Sequence, residues 1–545
     1  MNRLRQYNFI VVFFILIVFF YTSKAQPPKL VVIVVLDQFP YDYISRFQPY
    51  FSDGGFNYLL KNGASFSNCQ YPYAYTKTGC GHAAIATGTT PAVNGIVGNS
   101  WYDRDKGKKV NCVEDESVQT LGAVELGCSP RTLLVSTLGD ALRKKSPRSK
   151  VIGISNKDRS AILMAGKLGM AYWTNDSVVV SSTYYLKKLP SWVTTFNRSG
   201  IFQKYFGRIW NELNPDIAKQ ICDDDDAPYE ANPFGVGRAF PYKIVGRDST
   251  QRIPSYYTQV NHSPFATEIL LDFSRKVIEH ESLGKRGVTD MICIGISATD
   301  EIGHDYGPNS HEVFDDALRT DRMLSEFFSY LNKKIGLKNC VLVLTSDHGV
   351  APIPEYKRKV DPELATARIT ASEISTRANR MLNNTFGDPS RKWIASAIDA
   401  FLYLDEKVVL EKGIPIDSVR KVLRDSLTNN FPIDKAYTSD ELLGELEKGC
   451  FCNRVKKSFY KPRAGDVMLL LKPFSIIDGN PDGTNHGMPY SYDAHVPLIF
   501  AGRVINKGEY YSDVSPLDIV PTLAKILGLT VSKECQGNVL REAVK

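Results

Sequence analysis

The sequence has no apolar run of 18 or more residues, and so offers no segment long enough to be read as a membrane-crossing helix. Its longest run, Phe9 to Tyr21, covers about 13 residues. That run follows Arg3 and Arg5 and leads into Thr22-Ser23-Lys24-Ala25, with Ser23 and Ala25 in a small-x-small pattern. The order reads as a secretory signal peptide over residues 1–25, with an uncleaved anchor as the alternative. An exported protein, periplasmic or secreted, is expected, with no stable membrane insertion after cleavage. No Cys stands at the cleavage position to carry a lipid.

No CxxC pair occurs among the ten cysteines, which argues against a cysteine-ligated zinc site. Export permits disulfides. Cys112 with Cys128, or Cys450 and Cys452 with partners elsewhere, lie in polar, loop-like surroundings and are the expected bridges. Cys293 and Cys340 sit in apolar runs and are expected as buried thiols. There is no low-complexity tract and no fixed-period repeat, so disordered and fibrous classes drop out. Nor is there a strong charge: 66 basic against 59 acidic residues leave +7, scattered along the chain. No nucleic-acid partner is expected, while a weakly basic body tolerates anionic substrates. The Asp223–Asp226 run lacks EF-hand spacing and reads as a solvated loop.

What is present is a series of strand-like segments: Leu30 to Leu36, which is unbroken apolar and β-branched, then Lys150 to Ile154, Met291 to Ser297, Cys340 to Leu344 and Val496 to Phe500. Strands of that kind are buried on both faces. They predict an α/β fold with a mostly parallel central sheet and helices on both faces. Helices are expected from Ser129-Pro130 to about Lys144, over Val313–Leu331, and near Ser515 to Leu527. Two insertions are expected, one near 161–290 over the active-site face and one near 356–472 as a small α+β subdomain.

The strands end in chemistry. Asp37 closes the first, Asp300 with His304 follows the Met291 strand, and Asp347 with His348 follows the Cys340 strand. His486 comes later in a Gly-rich loop. A carboxylate and imidazole four apart share one face of a helical turn and suit one metal ion. Thr78, in Thr76-Lys77-Thr78-Gly79-Cys80-Gly81-His82, is the candidate nucleophile, read on a Gly-rich turn after a buried strand. Asn99 offers an amide to an oxyanion. Lys157 and Arg159, just past a strand end, offer a point charge and a planar fork for phosphate. His82, His262, His280, His311 and His495 are left outside the ligand set. The seven groups Asp37, Thr78, Asp300, His304, Asp347, His348 and His486 together point to a two-metal hydrolase.

These residues resemble the alkaline phosphatase superfamily, and within it the periplasmic, phosphate-irrepressible zinc enzymes with a Thr nucleophile. The resemblance rests on Leu36-Asp37-Gln38, Thr78-Gly79-Cys80-Gly81-His82, Gly98-Asn99-Ser100-Trp101-Tyr102-Asp103, Lys157-Asp158-Arg159, Thr299-Asp300 with Gly303-His304, Ser346-Asp347-His348-Gly349 and Gly483-Thr484-Asn485-His486. It runs over nearly all of residues 26–545, implying a single catalytic domain. It implies two Zn²⁺ per chain, one on Asp300, His304 and His486 and the other on Asp37, Asp347 and His348 beside Thr78. It implies a phosphothreonine intermediate, phosphate-monoester substrates and inorganic phosphate as product, with Asn99, Lys157 and Arg159 on the non-bridging oxygens. Two cations favour a dianionic monoester, and a phosphodiesterase or nucleotide pyrophosphatase with the same metals and nucleophile is the alternative. The Cys-x-Pro-x-Arg pattern of sulfatases is absent. Manganese or cobalt would also suit Asp/His ligands, and the natural ester is left open.

Overall fold

A computed structural model describes residues 27–246, 252–387, 391–428, 430–445 and 451–545. The expected signal peptide at 1–25 lies outside the described residues, as does Cys450. The Leu30–Leu36 strand is buried at every position. Its residues Leu30, Val32, Val34 and Leu36 join one hydrophobic core, and Val31, Ile33 and Val35 join another on the opposite face. This is why the run is unbroken rather than alternating: with period-two side chains and two covered faces, every position must be apolar.

That strand is central to a ten-stranded sheet. It pairs in parallel with Asp290–Ile296 on one side and Cys340–Ser346 on the other. Val151–Ser155 and Met170–Asn175 extend the parallel set. Antiparallel pairings of Leu498–Gly502 with Cys340–Ser346, and of Val178–Ser182 with Met170–Asn175, lead towards the two edges. Helices Pro264–His280 and His311–Lys334 cover one face through residues such as Leu270, Val277, Phe314 and Leu324. Thr78–Thr87 and Ile519–Leu527 cover the other, through Ile85 and Leu523. The long helix is capped by Ser310, which accepts from Val313 N–H, and ends in Lys333 and Lys334, where cations suit the helix dipole.

The 161–290 stretch, the Ser129 helix and the Cys112–Cys128 bridge differ from expectation. The stretch read as an insertion near 161–290 gives the sheet two strands, Met170–Asn175 and Val178–Ser182. Between residues 371 and 471 a separate antiparallel sheet runs Ile394–Ile398, Phe401–Leu404, Val467–Leu471, Ile433–Thr438, with helices Ala371–Phe386 and Ile416–Leu427 beside it. The helix expected from Ser129 is only a 3-10 turn, Pro130–Thr132. The true helix, Leu138–Lys145, starts where Thr137 and Asp140 form a reciprocal capping box. Cys112 and Cys128 do not pair. Both are free and buried, and the Cys128 thiol donates instead to Asp158 Oδ2 at 3.8 Å. Cys452 is disulfide-bonded.

Candidate active site

The parallel register sets Leu36 level with both Ile296 and Ser346, so the residues after them emerge together at the carboxyl ends of three adjacent strands. Asp37 and Asp347 are the first of these, and Asp300 sits in the opening turn of helix Ala298–Tyr306, with His304 one turn on. Lys157 caps helix Asp158–Ala165 after the next parallel strand. Thr78 is not on a turn after a strand. It is the first residue of helix Thr78–Thr87, preceded by an irregular, bent segment whose Tyr71, Tyr73 and Tyr75 are buried without joining a strand. That helix starts against the Asp347 strand end because residue 81 is glycine: a Cβ there would lie 2.2 Å from the Asp347 carbonyl oxygen. The approach brings Thr78 Oγ1 to 3.4 Å from His348 Nε2.

The three histidines are oriented in the same way. His304 Nδ1 lies 2.7 Å from the Thr484 carbonyl, His486 Nδ1 2.6 Å from that of Thr76, and His348 Nδ1 2.9 Å from that of Gly349. A carbonyl accepts only, so each Nδ1 carries a proton and each Nε2 is the nitrogen left to face the acids. Those Nε2 atoms face carboxylates: His304 to Asp300 Oδ1 at 3.3 Å, His486 to the same oxygen at 3.8 Å, and His348 to Asp37 Oδ1 at 3.3 Å and Asp347 Oδ2 at 3.5 Å. Among the described residues Asp37 Oδ1 is buried with no hydrogen-bond donor, and Asp347 Oδ2 faces the His82 Nδ1 at 3.1 Å, which the Thr78 carbonyl also takes at 2.9 Å. A neutral Nε2 and an anionic oxygen repel unless a proton or a metal ion sits between them, and this donor set fits divalent metal ions. Asp300, His304 and His486 form one compact set, and Asp37, Asp300 and His348 form a second that shares Asp300, each with ligand atoms within 4.8 Å of one another. Asp347 stands at the margin of the second, with Oδ1 accepting from Gln38 N–H at 3.2 Å.

Lys157 Nζ lies among these acids, 3.0 Å from Asp37 Oδ2 and also on Asp300 Oδ2. Burial and the nearby Asp300 push the Asp37 carboxyl up, but Lys157 and His348 overcome both and hold it at about 2. Burial raises Asp300 too, and His304 with Lys157 takes it well below the usual carboxylate range. Burial lowers His304, and Asp300 reverses this and lifts it to about 9. His486 is different: burial, then His348 and Lys77, depress it well below the ordinary imidazole value, so it is neutral.

Asn99 accepts the Gly79 N–H at 2.7 Å through Oδ1, which fixes the amide and leaves its NH₂ group for another partner. Arg159 pairs with Asp158 Oδ1 at 3.6 Å, and among the described residues its buried Nε has no hydrogen-bond partner. Both lie beside the start of the Thr78 helix or the Lys157 cap, so the structure gathers every sequence-derived candidate into one region. It also adds residues the sequence reading left without a role. Gln38, in the left-handed backbone region at φ 60°, donates from Nε2 to Asp300 Oδ1 at 2.7 Å. Gly303 makes room for it, since a Cβ there would meet Gln38 Oε1 at 2.0 Å. Glu301 Oε1 lies 3.5 Å from Lys157 Nζ. A cleft of about 840 Å³ between Trp192, Phe196, Arg275, His280 and Tyr330 is lined by none of these residues, so chemistry rather than cavity size identifies the site.

Fold and site thus define a doubly wound α/β protein with a candidate metal-ligand cluster at its strand ends and a Thr in the first turn of an adjoining helix. The chain belongs to the type I phosphodiesterase / nucleotide pyrophosphatase family, whose sequence model matches residues 31–491, within the alkaline phosphatase superfamily. It is 34% identical over 518 residues to the alkaline phosphatase PhoV of Synechococcus elongatus, covering 94% of this chain and 92% of PhoV. It is 32% identical over 519 residues to the alkaline phosphatase PafA of Elizabethkingia meningoseptica, covering 94% and 93% of the two chains. A crystal structure of wild-type PafA matches with a TM-score of 0.88 at 32% identity, over 95% of this chain and 99% of that one.

Proposed function

We propose that the protein is an alkaline phosphatase, a phosphomonoesterase that passes the phosphoryl group of an ester first to Thr78 and then to water. The observation that carries this reading is the approach of Thr78 Oγ1 to His348 Nε2 at 3.4 Å, at a helix N-terminus and beside the ligand cluster. The similarity to PhoV and PafA along nearly the whole chain supports the same activity.

Asp300, His304 and His486 would hold one divalent ion, and Asp37, Asp347 and His348 the other, with zinc favoured by the resemblance. When bound, two such ions supply Lewis-acid charge to the attacking and leaving oxygens of an in-line displacement and ease loss of the Thr78 proton. Thr78 Oγ1 bonds to phosphorus as the ester oxygen departs with the bonding pair and is protonated to the alcohol. Water then attacks phosphorus, Thr78 Oγ1 leaves and regains a proton, and inorganic phosphate is released. Through both displacements charge spreads over the non-bridging oxygens. Asn99 donates its free NH₂ there, and Arg159 turns its guanidinium towards the same oxygens, donors that act because their orientation is set beforehand. The fixed charges of Lys157 and Arg159 match a dianionic monoester better than a monoanionic diester. Small phosphate monoesters are the expected substrates, with no nucleic acid as partner. No helix among the described residues is long and apolar enough to cross a membrane.

The test compares kcat/KM for p-nitrophenyl phosphate and bis-p-nitrophenyl phosphate on zinc-loaded protein at alkaline pH. A large monoester preference is expected, and Thr78→Ala should abolish most turnover while zinc stays at about two per chain. A diester preference would give the site to phosphodiester hydrolysis instead.

A further inference from the structure

Lys157 has one carboxylate neighbour that the ligand sets do not use. Its ammonium touches Asp37, Asp300 and Glu301. Asp37 and Asp300 belong to the ligand sets and meet Lys157 through Oδ2 while their Oδ1 atoms face the imidazoles, so a divalent ion on Oδ1 draws charge from the whole carboxylate and repels the ammonium, which weakens both pairs. Glu301 stands outside those sets. It shares a helix with Asp300 and His304, but one position on from Asp300 it projects to the side of the ligand face.

Glu301 is also held in place from behind. Its Oε2 lies 3.3 Å from His262 Nε2, and His262 Nδ1 lies 2.6 Å from Asp305 Oδ2. The Asp305 carbonyl in turn accepts the Ala231 N–H at 2.8 Å, and the Phe234 ring lies edge-on to His262 at 5.4 Å. The segment around Ala231 and His262 therefore reaches the site through one imidazole. Glu301 sits between that imidazole and Lys157, so its charge is shared by two donors and is not left bare beside a phosphate.

We infer that Glu301 and His262 are positioning residues for Lys157: with the metal sites filled, Glu301 Oε1 holds the ammonium at the phosphoryl oxygens, and His262, braced by Asp305, holds Glu301. The inference rests on the monoesterase reading, in which Lys157 serves the phosphoryl group. It also explains how Lys157 keeps a fixed place once Asp37 and Asp300 have another partner.

A double-mutant cycle tests it, using Glu301→Gln, Lys157→Ala and the pair in zinc-loaded protein. Two readouts are taken: kcat/KM for p-nitrophenyl phosphate, and the Kd of inorganic phosphate by calorimetry. Glu301→Gln should weaken both by about tenfold when Lys157 is present, and by less than about twofold when it is alanine. His262→Gln should follow the same pattern with a smaller loss, and it decides the matter if Glu301→Gln fails to fold. Equal losses in both backgrounds, or none in the first, overturn the inference. If the wild type prefers the diester, the monoesterase reading fails on that result alone, while the phosphate Kd still reports whether Glu301 and Lys157 are coupled.

Discussion

Replacing Lys157 with methionine should destabilise the chelator-stripped protein far more than the zinc-loaded one. The side chain is 10% exposed and its ammonium neutralises Asp37 and Asp300, which are 0% and 4% exposed. At 3.0 Å from Asp37 and an effective dielectric of about 20, one such attraction is worth about 5 kcal/mol before desolvation is subtracted. Removing one partner of a buried pair costs about 3–5 kcal/mol in measured cases, because the remaining charge is left uncompensated. Methionine keeps most of the length of the side chain, so a cavity contributes little. A chain of this size unfolds with an entropy of about 1 kcal/mol/K, so the stripped variant should melt about 3–5 °C below the stripped wild type. In zinc-loaded protein Asp37 and Asp300 have another counter-charge, and the difference should shrink below about 1 °C. Scanning calorimetry of both proteins in both states gives the four values needed. Equal drops in the two states would assign Lys157 to packing, and no drop in either would mean that its ion pairs carry no stability.

The pH dependence of the stripped protein follows from His304 and His262, which Asp300 and Asp305 respectively lift to about 9 from an ordinary 6.5. A raised imidazole contributes stability that is complete below 6.5 and is lost as pH rises through about 9. Urea midpoints should therefore fall across that window, and a rise would refute the assignment. Because metal binding must displace the His304 proton, zinc uptake at pH 8 should release protons, visible as a buffer-dependent calorimetric heat. Asn99→Asp keeps an acceptor for the Gly79 N–H but replaces the free NH₂ with an anionic oxygen. It should fold normally and lose about 10²–10³ in kcat/KM for the monoester, whereas an unchanged rate would remove Asn99 from the phosphoryl oxygens.

How much of this was legible in the sequence depended on whether a residue's role is set by its own element or by a distant one. Leu30–Leu36 followed by Asp37, and Cys340–Ser346 followed by Asp347 and His348, stand out because a doubly covered strand is apolar over most of its length and charged residues wait until it ends. The Asp300/His304 spacing was legible for the same local reason, a helical turn of four. The helix at Leu138 was misplaced because Pro130 and the Thr137–Asp140 box are both plausible starts, and only the packed chain selects between them. The Cys112–Cys128 bridge failed because loop composition says nothing about where two thiols point. The positioning groups were the least visible. Thr76, Thr484 and Gly349 act through carbonyl oxygens that every residue possesses, and Gln38 acts through a left-handed backbone conformation that its side chain does not advertise. Glu301 stands inside a stretch whose neighbours were read as ligands, yet its partners Lys157 and His262 lie far away along the chain. Ligands at strand ends are thus written into local pattern, whereas the residues that orient them are written only into the tertiary contacts.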